Sequence, residues 1–489
     1  MDIQPFVTPG LGNSTWLLGS GDAAVLVDPQ RDVRRFLEAA DRRGWRITHI
    51  IETHRHNDYV SGALEVRAVT GAQLVLPARG RYELPHLGAD EGTSVEVGDL
   101  RLVAMATPGH APEHLAWQVI EGGDTVPSAV FTGGSLLAGS AGRTDLAGPE
   151  MVDMLTRAQH ATLHRLAALP EHVRVLPTHG SGSFCSAGPP RVERETSIGE
   201  ERRTNPLLAD LDVEAFRVTL LRDLGRVPAY FRHMGPINRA GAPLIRARVR
   251  RRRLPAGVVA GMMDSGVVVV DARDRREFAR AHVPGSIHVE GTDAFSSWVG
   301  AVVPFGSSLV LVVPDGPAAI VDELVTQLRR VGYDNVLGTL DGGIDAWAET
   351  GRPLGSFPIS TAAELGRRLA AGERPRILDV RQPAEWRTGT LPDSTTVFVG
   401  DLPRVIEHLD HDVEWTVVCR SGARASIAGS LLAGHGLRAR VVASGGVPDL
   451  LHGTPSQAAI LSVAPRSSSR ASREGAMPSE GGRAASVGR

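Results

Sequence analysis

Thr53-His54-Arg55-His56-Asn57-Asp58-Tyr59 follows an apolar, strand-like run at 47–51. Further along come Thr107-Pro108-Gly109-His110 and Phe131-Thr132-Gly133-Gly134. Two histidines one residue apart on a loop, joined by a distant third, make a metal-ligand pattern. Neutral imidazoles suit zinc or ferrous iron. Around this pattern, strand-like runs at 23–27, 73–76, 102–106 and 173–176 alternate with polar loops. Helical periodicity appears at 32–43 and 151–168. The spacing predicts a mixed α/β module with its histidines on loops.

The chain has 489 residues, enough for about three domains. Apolar residues make up 42% and the formal net charge is −2, which describes globular material and argues against nucleic acid as the main partner. All 53 basic residues are arginine, a bias scattered along the chain rather than gathered into a functional patch. Cys185 and Cys419 stand far apart, so a disulfide framework is excluded and a reducing, cytoplasmic compartment fits. No signal peptide is expected at the N-terminus, and no apolar run reaches the ~18 residues needed to span a bilayer.

A basic run at 246–253 reads as an exposed linker. Two related segments follow it. Val270-Asp271-Ala272-Arg273 with Glu277-Phe278 is echoed by Leu378-Asp379-Val380-Arg381 with Glu385-Trp386, and Asp341-Gly342-Gly343 is echoed by Ser444-Gly445-Gly446. Both echoes are offset by about 100 residues, the mark of a tandem repeat. Short apolar strands alternating with helices imply a parallel sheet in each copy. Asp28, Asp145, Asp271 and Asp379 read as residues that brace turns and loops. From about Pro465 the chain is poor in large apolar residues, and the expectation there is disorder.

In the second copy, the strand-like 415–418 runs into Cys419-Arg420-Ser421-Gly422-Ala423-Arg424, then into a helical 425–433. A sulfur placed there meets backbone N–H groups at a helix N-terminus, which favours an anion. Arg420 and Arg424 add positive charge, and Gly422 permits the tight turn. The pattern favours a thiolate or persulfide at Cys419. The first copy has Pro314-Asp315-Gly316 at this place and no thiol.

The repeat resembles tandem rhodanese domains, and Cys419 to Arg424 resembles the six-residue loop of their catalytic type. The resemblance implies sulfane-sulfur transfer through a Cys419 persulfide, with Cys419, Arg420, Gly422 and Arg424 as site residues. A departure is Thr390, where rhodaneses often have His; another is Asp393, where they have Gly. The first part of the chain resembles the metallo-β-lactamase branch that holds glyoxalase II and the persulfide dioxygenases. Its signals are the histidine motif, Thr107 to His114, Gly142-Arg143-Thr144-Asp145-Leu146 and Pro177-Thr178-His179-Gly180. That resemblance implies an N-terminal αββα metallo-β-lactamase sandwich, followed by two rhodanese-like parallel α/β domains. The expected boundaries are 1–250, 259–355 and 357–462, with a tail at 463–489.

Two positions depart from the metallo-β-lactamase pattern. Tyr59 stands where the motif has its last histidine, and Gly134 where it has the bridging aspartate. A persulfide dioxygenase holds one iron through residues matching His54, His110 and Gly134, and glycine has nothing to coordinate with. The expectation is at most one divalent ion, Zn or Fe, on His54, His56 and His110, with Asp58 and His179 at second-site positions. Gly134→Asp is expected to raise iron affinity if the loop has room. Cys185 and His114 are read as packed and hydrogen-bonded side chains. The implied partners are small-molecule thiols, persulfides or thiosulfate, with no nucleic acid and no membrane; homo-oligomerisation is left open. Together the two resemblances imply reactive-sulfur chemistry. Its rivals are a glyoxalase II-like thioester hydrolase, and a plain sulfurtransferase carried on a vestigial scaffold.

Overall fold

The structure, a computed structural model, describes residues 1–188, 191–209, 211–245 and 252–451. The expected tail at 463–489, and most of the basic run at 246–253, lie outside the described residues.

Two six-stranded sheets form the first module. One runs in chain order through Asp2–Thr8, Asn13–Ser20, Ala23–Val27, Arg46–Ile51, Gln73–Pro77 and Leu87–Ala89. The other runs through Thr196–Ser197, Arg174–Pro177, Ala129–Gly133, Leu115–Glu121, Leu100–Ala106 and Ser94–Val97. Trp16, Val25, Val27 and Ile51 on one inner face meet Leu102, Trp117, Phe131 and Leu176 on the other. Helices Arg34–Arg42 and Ala63–Thr70 cover the first sheet through Phe36, Ala39 and Val66. Helices Val152–Ala167 and Val213–Leu221 cover the second through Leu163, Leu166, Phe216 and Leu220. The layering is the expected αββα sandwich. Its apolar strands are buried on both faces because helices lie outside both sheets.

This arrangement sets where the histidines fall. Arg46–Ile51 pairs in parallel with Ala23–Val27, so the chain leaves both strands at one edge. Ala129–Gly133 pairs in parallel with Arg174–Pro177 and ends at the same edge. The turn at 107–114 joins the antiparallel pair Leu100–Ala106 and Leu115–Glu121. Loops carrying His54, His110, Gly134 and His179 therefore gather on one rim.

Each repeat is a five-stranded, all-parallel sheet. The first orders its strands Arg253–Leu254, Val336–Leu340, Leu309–Val312, Val268–Asp271, Ile287–His288. In the second the order is Ile359–Thr361, Arg438–Ser444, Glu414–Val418, Arg376–Asp379, Thr395–Thr396. The two orders correspond strand for strand, as the sequence echo predicts. Asp271 takes Arg273 in a bidentate ion pair at its strand end, and Asp379 takes Arg381 in the same way. Both aspartates are fully buried, so they brace the loops as expected.

The three modules share one continuous core. Tyr59, Cys185 and Tyr230 of the first module join Phe295, Val299 and Leu328 of the first repeat, and Phe398 and Cys419 of the second. Two ion-paired arginines cross the first boundary: Arg31 reaches Glu65 and Asp334, and Arg330 reaches Asp32. A Cβ on Gly10 would lie 1.6 Å from the Asp293 carbonyl oxygen, so only glycine lets the backbones approach there.

Candidate metal centre and sulfur loop

His54 follows strand Arg46–Ile51 on a loop whose shape is set by Asp28. Asp28 holds a left-handed backbone, φ 53°, and accepts from the Thr53 N–H and hydroxyl, both at 2.7 Å, and from the Thr178 hydroxyl. The Thr53 hydroxyl also lies 2.9 Å from His54 Nδ1. His54 Nε2 is thereby left facing His179 Nε2 at 3.3 Å. His110 has its Nδ1 2.8 Å from the Arg143 carbonyl, to which it can only donate, so its Nε2 carries no hydrogen when the ring is neutral. Ligand atoms of His54, His110 and His179 all lie within 4.8 Å of one another. Burial keeps His54 well below the ordinary imidazole range, reinforced by the neighbouring histidines. Burial, with His179 adding to it, likewise pushes His110 down to about 3. Imidazole nitrogens converging on one point are the donor set a divalent cation needs.

His56 is placed differently from the sequence expectation. Its Nε2 lies 3.2 Å from Asp28 and 3.0 Å from Glu52, not beside His110. Burial opposes a charge there, but the two carboxylates outweigh it and push His56 up to about 10. Of the expected trio, the geometry brings His54 and His110 together with His179, while His56 groups with Asp28 and His54 and with Asp58 and His179. The chain marked His179 with Pro177-Thr178-His179-Gly180, and the folded loop, bridged to Asn13, brings its Nε2 to 3.3 Å from His54 Nε2.

Tyr59 occupies the space of the missing histidine. Its ring stacks on His56 at 4.4 Å, and its hydroxyl donates to the Asp28 carbonyl at 3.2 Å. Asp58 accepts from Asn13 at 2.8 Å and lies 3.4 Å from His179. Burial works against its charge, yet His179 and His56 bring Asp58 down to about 2. One Asp58 oxygen, Oδ1, is buried without a hydrogen-bond partner. A buried anion beside three imidazoles fits a cation at this place.

Gly134 is closed to a side chain. A Cβ there would lie 2.2 Å from His110 Cδ2 and 2.7 Å from its Nε2. The His110 ring takes the room that an aspartate would use, and His114 Nε2 accepts from the Gly134 N–H at 2.9 Å. Gly134→Ala and Gly134→Asp are therefore expected to push His110 aside and to cost about 1–3 kcal/mol. Urea unfolding checks the cost. The room on which the expected gain in iron affinity for Gly134→Asp depends is absent unless His110 moves.

The other buried groups behave as structural elements. His114 lies 2.8 Å from the Thr107 hydroxyl through Nδ1 and stacks on His54 at 4.9 Å. Cys185 is fully buried, and burial pushes its thiol well above the ordinary range, with the Asp58 charge adding to it. Residues invisible to motif reading clamp the histidine loop: Asn238 donates to the His56 and Tyr59 carbonyls at 2.8 Å each, and Tyr230 donates to the Asp58 carbonyl at 2.8 Å. Val60 N–H reaches the Arg330 carbonyl of the first repeat at 2.7 Å. A cleft of about 420 Å³ opens over His110, with Glu113 and Asp145 on its wall and Arg55, Arg232 and Arg239 beside them.

Cys419 ends strand Glu414–Val418, and Gly422, φ 97°, caps helix Ala423–Gly434. The Gly422 N–H donates to Cys419 Sγ at 3.1 Å. A Cβ at Gly422 would lie 2.3 Å from the Ala443 carbonyl oxygen, so glycine is required twice over. Arg424 grips Glu385 with two bonds, 2.5 and 2.9 Å. Arg420 is exposed. Glu385, repeated in the sequence as Glu277, is a partner that motif reading did not assign.

The family model for the metallo-beta-lactamase superfamily matches residues 7–179, and that for the rhodanese-like domain matches 255–350 and 361–450. A hydroxyacylglutathione hydrolase of Methylobacterium nodulans is 32% identical over 198 residues, 35% of this chain and 72% of that protein. Another, of Pseudomonas putida, is 31% identical over 223 residues, 40% of this chain and 82% of that protein. The solved structure of a metallo-beta-lactamase from Staphylococcus aureus covers 70% of this chain and 98% of its own, with a TM-score of 0.62 and 24% identity, a likeness of fold. The chain belongs to the metallo-β-lactamase superfamily, in its glyoxalase II-like part, and carries two rhodanese-like domains behind that module. Among the described residues no helix is long and apolar enough to cross a membrane.

Proposed function

We propose that this protein works in reactive-sulfur metabolism, moving sulfane sulfur through a Cys419 persulfide beside a metal-dependent, persulfide dioxygenase-like N-terminal site. The observation that carries the reading is Cys419 Sγ at a helix N-terminus with the Gly422 N–H on it. A Cys419 thiolate attacks the outer sulfur of a persulfide or thiosulfate. The donor's S–S bond breaks, and the thiolate or sulfite leaves with the electron pair. An acceptor thiolate then attacks the outer sulfur of the Cys419 persulfide, and the Cys419 thiolate returns. No net oxidation occurs within the cycle.

At the rim of the first module, His54, His110 and His179 are the proposed ligands of one Zn or Fe. Such an ion supplies Lewis acidity to a bound sulfur or acyl group. Asn13 and Asp58 orient His179, Thr53 orients His54, and the Arg143 carbonyl orients His110. The three arginines beside the cleft favour an anionic small thiol as the carrier. The relatives named hydroxyacylglutathione hydrolase support a second reading for this module, hydrolysis of a thioester. Oxygen uptake on a persulfide, against anaerobic hydrolysis of a thioester, separates the two.

Sulfur transfer to cyanide or to a thiol, measured on the protein and on variants, tests the reading. Cys185→Ser is expected to transfer sulfur within about twofold of the parent, because its thiol is buried and protonated. A large loss in Cys185→Ser would move the chemistry to the first module.

A further inference from the structure

The Cys419 loop is not built by its own domain alone. Arg275, on the short helix Arg275–Arg280 of the first repeat, donates to the Ser421 carbonyl at 3.0 Å. Its guanidinium is fixed from behind by Glu290, to which both Nε, at 3.0 Å, and Nη2 donate. The Ser421 carbonyl and the Gly422 N–H belong to one planar trans peptide unit, so they point in opposite directions. Holding the carbonyl outward on Arg275 aims the N–H inward at Cys419 Sγ, where it sits at 3.1 Å. Gly422 has φ 97°, in the region where glycine offers little resistance to a peptide flip. A flip would turn the carbonyl oxygen, a negative dipole end, towards a sulfur anion.

A second contact docks the helix that follows. The His288 N–H of the first repeat donates to the Ser430 hydroxyl at 3.0 Å, and the Ser426 hydroxyl lies 3.0 Å from His288 Nδ1. His288 Nε2 lies 3.0 Å from the Arg273 carbonyl and must donate to it, which leaves Nδ1 to accept from Ser426. The thiol-free repeat therefore touches both the loop and the helix behind it.

We propose that Arg275 of the first repeat is a positioning residue for Cys419: it orients the Ser421–Gly422 peptide so that its N–H stabilises the sulfur anion. This deepens the sulfur-transfer reading and rests on it. The first repeat, lacking a cysteine at Pro314-Asp315-Gly316, completes the anion cradle of its neighbour. Arg424 cannot take over the task, because both of its terminal nitrogens are on Glu385.

The experiment labels Cys419 with methyl methanethiosulfonate at neutral pH, in the full chain, and follows the Cys419 peptide by mass spectrometry. Arg275→Ala is expected to slow labelling about tenfold, the effect of one charge-assisted hydrogen bond that sets the anion's donor. Arg275→Lys, which keeps a cationic donor, is expected to recover most of the rate. Amide exchange at Gly422, read on the same peptide, is expected to accelerate in Arg275→Ala and not in Arg275→Lys. Arg275 is only partly buried, so a folded variant is expected. Unchanged labelling and unchanged Gly422 exchange in Arg275→Ala overturn the proposal, as does a loss that Arg275→Lys fails to rescue. Labelling needs no sulfur donor, so its outcome stands apart from the sulfur-transfer reading. That reading fails separately, if Cys419→Ser still transfers sulfur.

Discussion

Cys419→Ser is expected to lower sulfur transfer from thiosulfate or a persulfide by roughly three orders of magnitude or more. A loss of that size is about 4 kcal/mol of transition-state stabilisation, as when the group that forms the covalent intermediate is removed. The hydroxyl is a far weaker nucleophile at neutral pH, and it cannot carry sulfane sulfur. Stability should change little, since serine is close in size and the Gly422 N–H keeps an acceptor. No second thiol is placed to substitute: Cys185 is buried in the first module and its thiol is held protonated. The first repeat has none at its equivalent loop. In the Cys419→Ser protein, peptides from 255–350 should therefore carry no added sulfur after incubation with a donor. Sulfur on those peptides would show that the first repeat is not silent.

The second large effect is expected at the histidine rim. His110→Ala removes one of three convergent imidazoles and is expected to weaken binding of a single divalent ion by at least about 100-fold, since even partners outside the ligand set commonly cost 10–100-fold. His179→Ala should do the same. His56→Ala should act differently. It leaves Asp28 and Glu52 buried without the cation between them, and removal of one partner of a buried pair costs about 3–5 kcal/mol. Its signature is therefore a drop in unfolding free energy. The His56 part of that stabilisation is lost as pH rises through about 10, because His56 is held above its unfolded value, and the Asp28 part is lost in acid, because Asp28 is held below its unfolded value. Elemental analysis with urea unfolding on the three variants distinguishes the trios. Equal loss of metal in His56→Ala and His110→Ala, without the stability difference, would restore the sequence-expected set. Two tightly held ions per chain would contradict the account of Tyr59, which offers no nitrogen ligand where the motif has a histidine.

The fold was legible because its signals are local and repeated. The runs at 23–27, 47–51 and 173–176 are strands to within a residue of the boundaries expected. Asp271 with Arg273 and Asp379 with Arg381 announce the repeat because each strand end needs the same ion pair. The site was legible in part. His54, His110 and Cys419 stand in motifs, and the structure places each on the loop those motifs imply. The direction of a ring is not local. His56 turns to Glu52 and Asp28, the latter in a left-handed conformation that no motif at 53–59 encodes. His179 reaches His54 because strand Arg174–Pro177 ends beside Ala129–Gly133. The closure of Gly134 depends on where His110 lies, and Arg275 meets Ser421 only because two repeats dock. Such contacts between distant segments are invisible until the chain is folded.

The location of the transferred sulfur decides whether Cys419 is the carrier. The full-length protein is incubated with thiosulfate, digested without reductant, and its cysteine peptides are weighed by mass spectrometry. One added sulfur atom is expected on the peptide containing Cys419 and none on that containing Cys185. An unmodified Cys419 peptide in protein that nonetheless transfers sulfur would contradict transfer through a Cys419 persulfide.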